Sequence, residues 1–285
     1  MSNSRFAFRH STFGISPSPP LVMGILNVTP DSFSDGGDYF TRDAAVEHAL
    51  KMIADGAAII DIGGESTRPE AEPTPAEEQI RRAIPVIHAI RMRNSDVAIS
   101  IDTREAEVAR AAVDAGADII NDVSALRDDP DMADVVAASG ATMVLMHRCG
   151  ASRNMQDGGG PHYDDLIGEI TAFLQQRREF AVCRGIDRSR IIFDPGLGFG
   201  KRVEHNLTIL RRLDRFVALG QPVLVGASRK RFLGSVLGVD EPKQRLAGSL
   251  ACALIATLAG AAILRVHDVH DTVEAVRLCS AVHGA

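Results

Sequence analysis

The sequence predicts an α/β protein with a single-domain (β/α)₈ TIM-barrel fold. Eight short apolar runs rich in Val and Ile recur along the chain, and amphipathic stretches separate them. Strands of a parallel sheet have this continuous apolar character because helices cover their outer faces. The 285 residues show no break in composition, which fits one barrel of the usual size. A doubly wound open sheet is the alternative fold with the same alternation.

The predicted strands are distributed over the whole chain after residue 20. They are VMGILNV (22–28), AAIIDIGG (57–64), VAISIDT (97–103), DIINDVS (118–124), TMVLMH (142–147), IIFDP (191–195), PVLVGAS (222–228) and AAILRVHD (261–268). The clearest stretches of helical periodicity between them are Arg42–Ala54, Pro75–Met92, Arg104–Ala115 and Asp164–Arg184. Helices commonly end at glycine, so we expect helix ends at Gly56, Gly116, Gly140, Gly185 and Gly220.

The first residues have a different character from the rest of the chain. Ser and Pro are frequent in residues 1–20, and no apolar stretch of the signal-peptide type is present there. We therefore expect a flexible N-terminal arm over residues 1–20, followed by one barrel domain over residues 21–285.

Composition and charge disfavour several classes of partner. The 31 Lys and Arg residues are outnumbered by 37 Asp and Glu residues, a net charge of −6, which disfavours nucleic acid and acidic membranes. The small-apolar stretch Leu250–Leu264 is too short to span a bilayer. The four cysteines lack CxxC spacing, which favours free core thiols over disulfides or a metal framework. We therefore expect a cytoplasmic location, with neither nucleic acid nor membrane as partner.

A polar side chain stands at the carboxyl end of each predicted strand. These residues are Asn27, Asp61, Asp102, Asn121, His147, Asp194, Ser228 and His267. In a (β/α)₈ barrel the active site is built at this end of the strands, whereas helix capping explains single polar residues better than a full ring of them. The ring therefore predicts a site at the carboxyl rim. For His147 a structural role and a role in the site remain equal alternatives.

Basic and hydroxyl groups at three of these strand ends predict an anion site. Thr67 and Arg68 follow two glycines, which let the backbone approach a ligand closely. Arg265 and His267 lie two residues apart on the last strand, so both side chains project to the same face. Lys230 precedes a predicted helix, where free N–H groups attract anions. The alternatives are a solvated surface charge for Arg68 and a core histidine for His267.

The remaining strand ends predict a site for a flat heterocycle and a metal. Asp102, Asn121 and Asp194 offer carboxylate and amide groups that can read the donor and acceptor edge of a ring, and leaving them unpaired would cost roughly 1–3 kcal/mol each. Asn27 supplies an amide oxygen suited to Mg²⁺, at the start of a polar loop. Neither GxGxxG nor GxxxxGK[ST] is present, so the sequence does not support a nucleotide as ligand.

These segments together resemble the dihydropteroate synthase family of pterin-binding enzymes. The motifs are NVTPDSFSDGG, DIGGESTRP, SIDT, INDVSAL, LMHRCG, FDPGLGFGK, GASRK and RVHDV, in the order and spacing of that family. The resemblance runs from about residue 21 to the end of the chain. It implies condensation of 6-hydroxymethyl-7,8-dihydropterin diphosphate with 4-aminobenzoate, giving 7,8-dihydropteroate and pyrophosphate in folate biosynthesis.

The resemblance also implies roles for individual residues. Those implied for the pterin are Asp102, Asn121, Asp194 and Lys230, and those for the diphosphate are Thr67, Arg68, Arg265 and His267. Mg²⁺ is the implied cofactor, held on Asn27, and Asp35 would organise metal and leaving group. Phe199, Lys230 and the loops with Phe33 and Pro69 would shape the aminobenzoate pocket. The implied catalytic residues are Asp35, Arg68, Lys230, Arg265 and His267.

The family pattern further implies a homodimer, through the helices near Leu250–Leu258, and sensitivity to sulfonamides. The chain departs from the common pattern at Arg148 and Cys149, where many members carry Met and Gln. Arg148 either alters the packing beside the pterin or points to solvent. Two rival functions remain, a barrel that transfers a methyl group from a methyltetrahydrofolate and a non-catalytic pterin-binding protein. The first has no use for the anion site.

Overall fold

The computed structural model describes residues 5–8, 11–14, 19–28, 38–65, 73–149 and 162–283. Their strands are β1 (Arg5–Phe8), β2 (Ser11–Gly14), β3 (Leu21–Asn27), β4 (Ile59–Gly63), β5 (Ala98–Asp102), β6 (Ile119–Asp122), β7 (Thr142–Met146), β8 (Ile191–Asp194), β9 (Leu224–Val225) and β10 (Ile263–Val266). Each of the eight predicted runs contains one strand of the main sheet. The prediction of the strands is therefore confirmed.

Eight parallel strands close into a barrel. Their order in the sheet is β8-β7-β6-β5-β4-β3-β10-β9. The remaining seam lies between β8 and β9, where the backbone N–H of Phe193 donates to the carbonyl of Pro222 at 2.9 Å. A parallel bridge between Phe193 and Val223 continues this pairing. The chain thus forms the predicted barrel, and the doubly wound open sheet is excluded.

Helices surround the barrel in the alternation that the sequence predicts. They are α1 (Asp38–Ala54), α2 (Ala76–Arg93), α3 (Ala106–Asp114), α4 (Met132–Ser139), α5 (Leu166–Cys183), α6 (Val203–Arg211), α7 (Leu213–Val217), α8 (Arg231–Leu237), α9 (Leu246–Leu258) and α10 (Val269–His283). Short 3₁₀ helices occupy Arg188–Arg190 and Pro242–Arg245. The five predicted glycines follow helix ends with positive φ, which confirms their assignment. No helix in the described ranges is long and apolar enough to cross a membrane.

The N-terminal segment contains a hairpin. Within residues 1–20, β1 and β2 pair as a two-stranded antiparallel sheet, and the flexibility of this arm stays a prediction. Strand β1 lies against the short helix Arg188–Arg190. That helix immediately precedes β8, so the hairpin lies at the amino ends of the barrel strands, away from the predicted site.

The interior of the barrel changes from apolar to polar along the strands. Its floor is an apolar layer of Met23, Ile59, Ala98, Ile119, Val144, Ile192, Leu224 and Ile263. The next inward position on each strand lies two residues further on, because alternate residues of a strand face the same side. These residues are Ile25, Asp61, Ser100, Asn121, Met146, Asp194, Gly226 and Arg265. Asp61, Ser100, Asn121, Asp194 and Arg265, with Asp102 one inward position further towards the carboxyl rim, form a polar layer above the apolar floor.

All four cysteines are free, as predicted. Cys252 is buried, which raises the pKa of its thiol to about 11. Cys183 is exposed, and Cys149 and Cys279 are half-buried. The expectation that all four lie in the core is therefore wrong: Cys183 and Cys279 lie on outer helices, of which only the inward face is covered, and Cys149 lies in the segment after β7.

Candidate active site

An ion-paired cluster of four side chains lies at the centre of the polar layer. The guanidinium of Arg265 donates to Asp61 Oδ2 at 2.6 Å through Nε and to Asp102 Oδ2 at 2.8 Å through Nη2. The amide Nδ2 of Asn121 donates to the same oxygen of Asp61 at 3.2 Å. Because β4, β5, β6 and β10 each supply one residue, barrel closure alone brings them together. Asp102 and Asn121 thus lie together, as the sequence predicted, and Arg265, which the sequence assigned to the anion site, is ion-paired with Asp102.

Asp61 is the member of this cluster whose role the sequence did not indicate. Its side chain is fully buried, and its Oδ1 atom has no hydrogen-bond partner among the described residues. A buried carboxylate is tolerated only with a well-placed counter-charge, which Arg265 supplies. Asp61 follows the floor residue Ile59 by two positions on the same strand. This spacing places its side chain in the barrel interior, and it is the sequence feature that points to a role in the site.

Burial and the opposite charge of the partner shift the pKa values of Asp102 and Arg265 in opposite directions. Burial raises the pKa of the Asp102 carboxyl above its ordinary value, the Arg265 guanidinium opposes this shift, and the Asp61 carboxylate adds to it. Burial would lower the pKa of Arg265, but the carboxylates of Asp61 and Asp102 outweigh it and raise that pKa. The guanidinium is therefore always charged, and it neutralises carboxylates that would otherwise repel an anionic ligand.

A second pair of opposite charges stands beside the cluster. Asp194 ends β8 and accepts a hydrogen bond from the backbone N–H of Gly196 at 2.7 Å. Burial raises the pKa of Asp194, and the ammonium group of Lys230 opposes this shift. Burial also lowers the pKa of Lys230 to about 8, against the effect of Asp194. Arg265 contributes to both shifts, so the pair and the cluster belong to one electrostatic site.

Lys230 connects this pair to an aromatic ring. Its Nζ atom donates to the carbonyl of Leu197 and lies 4.1 Å from the centroid of the Phe199 ring. A cation over a ring face is attracted by the electrons of the ring. The structure therefore joins Asp194, Lys230 and Phe199, three residues that the family resemblance assigned to neighbouring parts of one pocket.

His267 lies at the rim beside Ser228. The Nδ1 atom of His267 is 3.0 Å from Ser228 Oγ. The same oxygen accepts a hydrogen bond from the backbone N–H of His267 at 3.2 Å. Burial lowers the pKa of His267 to about 4, and the cations Arg229 and Arg265 add to this shift. The imidazole is therefore neutral near pH 7. Arg229 pairs with Asp268, so its charge is balanced locally.

For His147 the structure favours the structural alternative. Its ring is buried against the edge of Phe173, with ring centroids 4.9 Å apart. Its Nδ1 atom is 3.0 Å from Nζ of Lys201, and burial followed by the charge of Lys201 lowers its pKa to about 2. The imidazole is thus a neutral hydrogen-bond partner within the fold.

Arg148 belongs to a chain of ion pairs across the rim. Its guanidinium pairs with Asp128, which also pairs with Arg104 at 2.9 Å. Arg104 in turn pairs with Glu65 at 3.0 Å. The Arg148 side chain is buried rather than directed to solvent, so the solvent alternative is wrong. The chain links the ends of β4, β5, β6 and β7.

Part of the predicted site lies outside the described residues. This applies to Phe33, Asp35, Thr67, Arg68 and Pro69. The predicted metal ligand Asn27 is described: it is exposed at the end of β3, with Oδ1 facing the adjacent Gly63. Among the described residues, no three His, Cys, Asp or Glu side chains are grouped so that they could hold a metal ion. The predictions for these positions stay predictions.

Comparison with known proteins agrees with the site chemistry. A family model described as pterin binding enzyme matches residues 23–267. Dihydropteroate synthase of Escherichia coli strain K12 is 47% identical over 268 residues, covering 94% of this chain and 93% of that protein. Xanthomonas albilineans dihydropteroate synthase with 4-aminobenzoic acid is 46% identical, with a TM-score of 0.90 and 100% of each chain covered. Yersinia pestis dihydropteroate synthase with a sulfonamide drug is 44% identical, with a TM-score of 0.91, covering 99% of this chain and 100% of that one.

The family match spans the whole polar layer, from the strand that carries Asn27 to the strand that carries His267. The identities to the relatives extend over nearly the full length of both proteins. The chain therefore belongs to the dihydropteroate synthase family of pterin-binding enzymes, which are transferases of folate biosynthesis.

Proposed function

We propose that this chain joins 6-hydroxymethyl-7,8-dihydropterin diphosphate to 4-aminobenzoate, releasing 7,8-dihydropteroate and pyrophosphate. The observation that carries the proposal is the polar layer of the lumen. There the acceptors Asp102, Asn121 and Asp194 lie with the cations Arg265 and Lys230 above an apolar floor. A flat heterocycle with a charged tail matches this combination of buried hydrogen-bonding groups and cations.

The pterin ring is bound by hydrogen bonds at its polar edge. Asp102 and Asp194 accept from ring N–H groups, Asn121 donates and accepts, and Lys230 donates. Each of these groups would lose roughly 1–3 kcal/mol if a ligand buried it without a partner. The pocket therefore selects a ring whose donors and acceptors alternate in the same order.

The diphosphate leaves with the help of charge at the rim. Thr67 and Arg68 hold it together with Arg265 and the neutral imidazole of His267, and Asp35 helps to organise it. As the bond between the pterin methylene carbon and the diphosphate oxygen breaks, negative charge grows on the leaving group. The donors therefore stabilise the transition state more than the ground state. The electron-rich ring stabilises the cation that remains on the methylene carbon.

The aminobenzoate nitrogen then forms the new carbon–nitrogen bond and loses a proton. An arylamine is unprotonated at neutral pH, so the reaction needs no strong general base. Lys230 and the ring of Phe199 lie where they can line the pocket for this amine. A sulfonamide that mimics aminobenzoate would compete for the same place.

Mg²⁺ fits the donors that the chain offers near Asn27. The amide oxygen of Asn27 is exposed at the strand end, and a hard cation of this kind usually takes few protein ligands and completes its shell with phosphate oxygens and water. When bound, Mg²⁺ would neutralise charge on the departing diphosphate.

Replacement of Asn27 by alanine is expected to raise the Mg²⁺ concentration for half-maximal rate about tenfold, because one weak neutral ligand is lost. Binding of the pterin ring without Mg²⁺, measured by calorimetry, should stay the same. Weaker ring binding in the absence of the metal would contradict a role for Asn27 confined to Mg²⁺.

A homodimer is the proposed assembly. Large apolar side chains are exposed on the neighbouring helices α8, α9 and α10: Val236, Leu237, Ile255, Leu258, Leu278 and Val282. Monomers seldom expose so many apolar groups on adjacent helices, so a second copy of the chain is expected to cover them. The free cysteines support the cytoplasm as the compartment.

Replacement of Leu278, which is 69% exposed, by glutamate is expected to weaken the dimer at least about hundredfold, since a charge would be buried in the interface. Sedimentation equilibrium measures the change. Met92 on α2 is 88% exposed and provides the matched control, because Met92→Glu should leave the assembly unchanged. A wild-type monomer, or equal effects of both changes, would contradict this interface.

The function itself is tested by Mg²⁺-dependent pyrophosphate release that requires both substrates. A non-catalytic pterin-binding protein would take up the pterin diphosphate without releasing pyrophosphate when the amine is added. A methyl-transferring barrel would turn over a methyltetrahydrofolate instead. Either result would overturn the proposal.

A further inference from the structure

Two lysines hold the loop that connects β8 to α6. This loop, Gly196–Gly200, contains the Phe199 ring and the carbonyl of Leu197 that Lys230 contacts. Lys230 approaches it from the amino end of α8. Lys201 approaches it from the other side, where the loop meets the end of β7.

The ammonium group of Lys201 is surrounded by acceptors. Its Nζ atom lies 2.8 Å from the carbonyl oxygen of Gly196 and 3.2 Å from that of Phe199. It also lies 3.2 Å from the carbonyl oxygen of His147 and 3.0 Å from Nδ1 of the same residue. The side chain is 8% exposed. One cation thus joins both ends of the loop to β7.

The loop has no room to shift towards β7. A Cβ atom on Gly196 would overlap the carbonyl oxygen of His147, and one on Gly200 would overlap that of Cys149. Both glycines also have positive φ, +71° and +60°. The backbone N–H groups of Gly196 and Gly198 also donate to Asp194 and Asn206, and Lys201 supplies the side-chain bonds that tie the loop to the end of β7.

We propose that Lys201 is a positioning residue for the aminobenzoate pocket: its buried ammonium group holds the Gly196–Gly200 loop so that Phe199 and the Leu197 carbonyl meet Lys230. The inference rests on the proposed function, which assigns Phe199 and Lys230 to that pocket. Lys201 itself touches neither substrate in this account.

A lysine suits this position for a physical reason. A protonated amine offers three donors for the four acceptors around Nζ, whereas a neutral side chain of similar length leaves most of the carbonyls unpaired. Burial lowers the pKa of Lys201 to about 7, and Asp194 opposes this shift. The nearby carboxylate therefore favours the protonated amine, which burial disfavours.

The test compares Lys201→Met with Lys243→Met, an exposed lysine in the 3₁₀ helix Pro242–Arg245. In Lys201→Met the KM for 4-aminobenzoate should rise about tenfold or more, since a misplacement of about 1 Å can cost a hundredfold in rate. Affinity for the pterin diphosphate, measured by calorimetry without amine, should fall by a smaller factor than the KM rises, because Asp102, Asn121 and Asp194 remain in place and only Lys230 among the pterin-binding groups contacts the shifted loop. Lys243→Met should leave both the KM for 4-aminobenzoate and the affinity for the pterin diphosphate unchanged.

The outcomes separate the possible explanations. A merely destabilising change would lower kcat through the folded fraction and leave KM unchanged, and that result would overturn the proposal. Lys201→Gln, which keeps two donors, should give a smaller rise in KM. If neither variant folds, Lys201 is required for the fold and the positioning role is rejected. If the wild-type enzyme releases no pyrophosphate, the proposed function fails instead, independently of Lys201.

Discussion

Replacement of Arg265 by methionine is expected to abolish pyrophosphate release and to lower the free energy of unfolding by about 3–5 kcal/mol. The change leaves the carboxylates of Asp61 and Asp102 buried without the guanidinium that now bonds both. Asp61 is fully buried, and among the described residues its other hydrogen-bond donor is the neutral amide of Asn121. Chemical denaturation and the coupled pyrophosphate assay measure the two effects.

The loss of stability in Arg265→Met should depend on pH. Burial already raises the pKa of the Asp102 carboxyl above the unfolded value of about 4, and loss of the cation that opposes this shift raises it further. The folded state then binds protons more tightly than the unfolded state, so stability recovers as pH falls towards that value and declines as pH rises. If the loss of stability in Arg265→Met became larger as the pH fell, this would contradict the ion pairs of Arg265 with Asp61 and Asp102.

Two further variants isolate the buried charge as the cause. Adding Asp102→Asn to Arg265→Met should restore part of the stability without restoring activity, since one of the two unpaired charges is removed. Arg184→Met breaks the exposed pair with Asp134 and should cost at most about 1 kcal/mol. A loss of that small size in Arg265→Met would also contradict the account.

Replacement of Asp102 by asparagine is expected to weaken pterin binding about 10- to 150-fold, because a hydrogen bond to a charged acceptor contributes about 1.5–3 kcal/mol. The fold should be retained, since Arg265 keeps its shorter bond to Asp61. Calorimetry with the pterin diphosphate measures the affinity, and thermal unfolding measures the fold.

The matched control for this change is Asp114→Asn, an exposed carboxylate at the end of α3, the helix that follows β5. It alters the net charge by the same amount without touching the lumen, so pterin affinity should not change. If both variants weakened pterin binding equally, the cause would be the change in net charge and not the loss of a direct contact between Asp102 and the pterin. Unchanged affinity in Asp102→Asn would remove this residue from the pterin site.

Much of the fold was predictable because each barrel strand is buried on both faces and therefore forms a continuous apolar run. The hairpin of β1 and β2 was not predictable in this way, since its strands have four residues each and no such run. In the site, Asp102, Asn121 and Asp194 were predictable from their position at strand ends. Asp61 stood in the same ring of strand-end residues, but its pairing with Arg265 could not be read from the sequence, because the two residues are 204 positions apart.

By itself, the sequence determined the barrel, the rim where the polar groups gather and the kinds of group available there. Only the tertiary structure decided which charges neutralise one another: Arg265 bonds Asp61 and Asp102, and Lys201 holds the loop that carries Phe199. The physical reason is that apolar periodicity depends on neighbouring residues along one strand. The free energy of a buried charge depends instead on partners that distant strands bring within a few ångströms.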